Sequence, residues 1–133
     1  MQTADMKEML TKYRTVAVVG LSPDAGKPSH EVAAYLKRAG FRIIPVNPAC
    51  AEVLGETCYP TLAEVPGEVE IVDVFRRSEF LPEIVEQAIA KGAKVVWMQE
   101  GVVNEPAAAR GREAGLQVVM DRCILKEHMR VSR

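Results

Sequence analysis

Five apolar, largely β-branched runs, each set off by a turn and followed by a stretch of helical periodicity, take up nearly the whole chain. They cover residues 15–20, 41–46, 71–75, 94–98 and 117–120. The first of them, TVAVVG, is too uniformly apolar for a surface strand, which marks it as buried on both faces. Strands joined through helices cross over right-handedly, so the pattern predicts a parallel sheet covered on both sides.

The expectation is an α/β fold, a three-layer, Rossmann-like, doubly wound, five-stranded parallel sheet in a single domain spanning residues 1–133. Strand order 3-2-1-4-5 follows if the chain reverses direction after the third strand, and ligand then sits over the ends of the first and fourth strands. Asp5 is expected to cap a first helix, Pro28 and Ser29 to open the second, and Gly40 to close it. Residues 49–68 read as a looser segment in which Thr61 and Glu64 have capping-box spacing and should start one short helical turn before Pro66. Ser78 and Asn104 read as helix caps, and residues 122–133 as a solvated, mildly basic tail.

Composition excludes several classes of function. The net charge is −1, and 26% of residues are charged with no unbroken basic run, which argues against nucleic acid as a partner. No apolar stretch is long enough to cross a membrane, and no signal-peptide pattern opens the chain. Cys50, Cys58 and Cys123 lack metal-ligand spacing, so no metal site is expected and reduced thiols in a cytoplasmic protein are the expectation. His30 and His128 have no recognisable nucleophile or acid partner, and the sequence offers no catalytic constellation.

The first strand empties into Gly20-Leu21-Ser22-Pro23-Asp24-Ala25-Gly26-Lys27. A Walker loop needs a hydroxyl directly after Gly-Lys, but Pro28 stands there. A dinucleotide fingerprint needs glycine at position 22 and an acid closing the second strand, and the chain has Ser22 and Asn47-Pro48 instead. What remains is a Gly-x-Ser loop with Lys27 near the start of a helix, suited to phosphate, or an ordinary turn. Asn47 and Pro48 are either a rim contact or a plain strand end. Arg76 and Arg77 beside a helix start suit phosphate or lie on the surface. Gln99-Glu100-Gly101 leaves the fourth strand, where Gly101 permits close backbone approach.

The ordered segments VVGLSPDAGKPSHEVAAYLKRAGF, IIPVNP, GETCYPTLAEVP, VDVFRRSE, VVWMQEGVVNEPA and VVMDRC resemble the stand-alone CoA-binding domain proteins. These are similar to the amino-terminal domain of the succinyl-CoA synthetase α subunit. The resemblance implies coenzyme A or acyl-CoA as ligand along the carboxyl edge of the sheet. Gly20, Leu21, Ser22 and Lys27 would hold the nucleotide phosphates, and Asn47 and Pro48 would flank the adenosine end. Phe75, Arg76 and Arg77 would line the ligand beyond the third strand, with Gln99, Glu100 and Gly101 near the pantetheine arm. Cys123 falls where the synthetases carry an Asn-Cys pair, with Arg122 replacing the Asn. Ala49-Cys50 follows the strand-two proline, where the synthetases often have lysine. The phosphohistidine and ATP-grasp domains of a ligase are absent from 133 residues. A non-catalytic carrier, sensor or regulatory module is therefore expected, with an NAD(P)-binding redox or regulatory protein as the alternative. Partnership with a second copy of the chain or with an acyl-CoA-handling enzyme is left open.

Overall fold

The structure, a computed structural model, describes residues 3–132. The predicted strands form as β1 (Thr15–Val19), β2 (Arg42–Val46), β5 (Ile71–Val74), β6 (Val95–Met98) and β7 (Gln117–Val119), all parallel in one sheet. A short hairpin, β3 (Glu52–Val53) with β4 (Glu56–Thr57), occupies the segment expected to be loose, and a 3-10 turn (Leu62–Glu64) forms where one short helical turn was expected before Pro66. Among the described residues the α-helices are α1 (Thr3–Lys12), α2 (Pro28–Arg38), α3 (Leu81–Lys91), α4 (Glu105–Glu113) and α5 (Ile124–Val131).

Period-two alternation assigns each strand residue to a layer. Val16, Val18, Ile43, Ile71, Val95 and Trp97 pack with Met6, Met9, Val32, Leu36 and Ile124 under α1, α2 and α5. Ala17, Val19, Ile44, Val72, Val74, Val96 and Met98 pack with Leu81, Ile84, Val85 and Ala108 under α3 and α4. The result is the expected three-layer, Rossmann-like architecture.

The strand order differs from expectation. It is β2-β1-β5-β6-β7, so the chain reverses after its second strand rather than its third. Crossover handedness explains why. The β1–β2 connection runs over one face through α2, while Leu62 and Val65 carry the β2–β5 connection over the other, where α3 and α4 also lie. Right-handed connections on opposite faces must move in opposite directions along the sheet. The second connection therefore steps back across β1, and the switch point falls between β1 and β5.

Four local expectations also change. Asp5 lies inside the first turn of α1 rather than at its cap. Thr61 precedes the 3-10 turn but its side chain makes no capping bond. Ser78 opens a 3-10 turn (Ser78–Phe80), and its Oγ accepts from Val103 N at 2.9 Å instead of capping α3. The tail read as solvated folds into α5, which buries Ile124 and Val131. Asn104 caps α4 as expected, its Oδ1 accepting from Ala107 N at 3.0 Å. Among the described residues no helix is long and apolar enough to cross a membrane.

Candidate functional site

β1 leaves the sheet toward α2 on one face and β5 leaves toward α3 on the other, so a crevice opens where they part. Gly20 sits at its base with φ +89°. A Cβ there would meet Phe75 O at 2.6 Å and Arg76 Cδ at 3.0 Å, so only glycine lets the two strand ends lie this close. Gly20 N donates to Val46 O at 2.8 Å and Phe75 N to Val19 O at 2.8 Å, which ties three strand ends into one floor.

The loop beyond is stitched by its own side chains. Asp24 N donates to Ser22 Oγ at 3.0 Å and Gly26 N to Asp24 Oδ1 at 2.8 Å. Ser22 N donates to Ser29 Oγ, and His30 Nδ1 lies 3.0 Å from the Ser22 carbonyl. A carbonyl only accepts, so that nitrogen carries the proton and His30 braces the loop. Ser22 Oγ accepts one bond and keeps its own proton to donate. Lys27 is exposed at the N-cap of α2, in extended backbone, and Leu21 is fully buried as the anchor of the loop.

Asn47 is fastened at both ends of its amide, with Nδ2 donating to Leu21 O at 2.9 Å and Oδ1 accepting from Ala49 N at 2.8 Å. It sets the spacing between the β1 and β2 exits instead of projecting freely from the edge. Pro48, Val19, Val46, Leu62, Ile84 and Arg76 are among the residues around a cavity of about 240 Å³ on the α3 side of the crevice. Its lining is completed by Pro60, Thr61, Phe80, Glu83 and Gln87, of which the sequence singled out only Thr61, and that as a helix cap.

The three residues after β5 diverge. Phe75 packs into the α2-side core. Arg76 lines the cavity with its guanidinium 4.3 Å from the centre of the Phe80 ring, a stacked arrangement that leaves its N–H edge for an anion. Arg77 is 84% exposed and pairs with Glu79 at 3.7 Å. An aromatic four residues after an arginine is the one signal that would have separated Arg76 from Arg77.

Gln99 is buried, and its Oε1 accepts from Ile124 N at 3.2 Å. Glu100 pairs with Lys126 at 3.0 Å. Gly101, at φ +83°, donates to Asp121 Oδ1 at 2.7 Å. This trio is fastened to the start of α5 and the β7 exit. No cluster of three or more metal-ligating side chains occurs among the described residues.

A family model described as a CoA binding domain matches residues 14–129. The chain belongs to the CoA-binding domain family. It is similar to the uncharacterized protein YneT of Bacillus subtilis, 44% identical over 94% of this chain and 93% of that protein. It also matches the ADP-forming acetate–CoA ligase II of Archaeoglobus fulgidus, 35% identical over 61% of this chain but only 12% of the ligase. Among solved structures, a hypothetical protein from Pyrococcus horikoshii superposes with a TM-score of 0.97 at 42% identity, over 100% of this chain and 94% of that one. The CoA-binding domain thus accounts for the entire sheet and its edge.

Proposed function

We propose that this CoA-binding domain holds coenzyme A or acyl-CoA across the β1/β5 crevice and catalyses no reaction of that ligand, acting as a carrier, sensor or regulatory module. In this reading the diphosphate rests on the loop after Gly20, met by the Ser22 hydroxyl and Lys27, and Pro48 flanks the adenosine. Arg76 takes a phosphate oxygen, with Arg77 adding charge from solvent. Gln99, Glu100 and Gly101 bound the outgoing arm, Gln99 through the backbone it braces. The observation that carries this reading is the Gly20 floor. A site that would lose its shape to a single methyl group, beside a stacked arginine and an exposed lysine, suits a close-lying polyphosphate.

Calorimetry with CoA, dephospho-CoA and NAD tests it. CoA should bind, and Arg76→Ala and Lys27→Ala should each weaken it by about 1.5–3 kcal/mol, roughly ten- to a hundredfold, for loss of one charge-assisted contact. Silence with CoA at millimolar concentration, or NAD binding in its place, contradicts the proposal.

A further inference from the structure

Cys50 and Cys58 stand at the foot of the β3–β4 hairpin with their sulfurs 3.0 Å apart. The hairpin ladder makes this contact. Glu52 pairs with Thr57, and Cys58 N donates to Ala51 O at 2.9 Å, so the β4 end returns alongside residue 50. The two thiols differ in setting. Cys50 is part-exposed, whereas Cys58 is buried and its sulfur lies 3.4 Å from Asn47 O. From this geometry we propose that Cys50 and Cys58 form a thiol–disulfide exchange centre whose substrate is a low-molecular-weight disulfide.

The accessible Cys50 attacks as thiolate on one sulfur of the small disulfide. A Cys50 mixed disulfide forms, and one small thiolate leaves. Cys58 then loses its proton to that thiolate and attacks Cys50 Sγ, which expels the second small thiolate, and this takes up the proton that Cys50 released to water on ionising. The protein closes an internal disulfide, two thiols having been oxidised and one small disulfide reduced to two thiols. Burial, and then the Cys50 thiol itself, push the Cys58 thiol up to about 12. Capping Cys50 removes the second of these influences, so Cys58 becomes easier to ionise once its target has formed. The oxidised ring spans residues 50–58, and its formation takes the Cys58 S–H away from Asn47, the residue that spaces the β1 and β2 exits. The chemistry is independent of nucleotide binding.

Oxidised glutathione, which carries no nucleotide, is the probe, read by intact mass and peptide mapping after thiol blocking. Wild-type protein and Cys123→Ser should each lose two hydrogens, with the peptides of Cys50 and Cys58 joined. Cys58→Ser should stop at a stable glutathione adduct on Cys50, and Cys50→Ser should slow oxidation of Cys58 by more than about tenfold. The proposal is overturned by a glutathione adduct that persists on the wild type, by modification confined to Cys123, or by no reaction. Because mapping of the wild type decides by itself, no variant need be relied on to fold.

Discussion

Asp73 lies in the middle of β5, with Val18 and Trp97 beside it in register and no solvent exposure. Neither carboxyl oxygen has a hydrogen-bond partner among the described residues. Burial holds its ionisation well above the usual carboxylate range, so the folded chain keeps a proton that the unfolded chain releases. The sign follows. The acid costs least below the unfolded value of about 3.9, and it erodes stability as pH rises from there toward the folded value. Asp73→Asn should therefore gain on the wild type with rising pH, by up to about 1.4 kcal/mol per pH unit, in urea unfolding at pH 4 to 8. A gap that stays constant across that range refutes the assignment. A single acid inside an apolar run has no motif to announce it, and Asp73 passed unnoticed in the sequence. Arg76 and Arg77 differ from it in leaving a trace: as neighbours they look chemically alike, but the aromatic four residues on marks Arg76, which lies over Phe80 and lines the cavity, while Arg77 pairs with Glu79 in solvent.

Helices with a strong local signal formed where the sequence placed them. Pro28 at the start of α2, Asn104 at the cap of α4 and Gly92 at φ +76° after α3 act through their own backbone, so no distant contact is needed to read them. Ser78 had equal local credentials, but its hydroxyl receives the Val103 N–H, a partner 25 residues away. The fifth helix was hidden differently. With two fully apolar side chains to bury, Ile124 and Val131, among charged residues, it resembles a polar tail until α1 and α2 supply the surface it packs on. Arg122 O accepts from the indole of Trp97 at 2.7 Å and Gln99 receives the Ile124 N–H, which pins the start of α5 to β6. Ile124→Ala should cost about 2–4 kcal/mol in equilibrium urea unfolding, the price of a core aliphatic, whereas a dispensable tail would lose nothing.

For the molecule as a whole, the candidate site is a property of the reversal in strand order. Gly20, Asn47 and Arg76 meet because β1 lies between β2 and β5; the order expected from the sequence would have brought the fourth strand to β1 instead. A ligand that binds only this assembled edge must stabilise the fold. CoA at a hundredfold excess over its Kd should add on the order of 2.7 kcal/mol and raise the melting temperature by several degrees in a thermal-shift titration. An unchanged transition at millimolar CoA runs against binding at this edge.

Local chemistry alone settled the five strands, the burial of the first on both faces, the layer plan and the glycine-led loop after β1, because hydrophobic periodicity and turn preference act over a few residues. Which way each crossover travels, where the strand ends meet and where α5 docks were decided only when the layers packed. Those outcomes depend on contacts between segments 20 to 60 residues apart, such as Gly20 against Phe75 and Trp97 against Arg122, for which a single sequence carries no local signature.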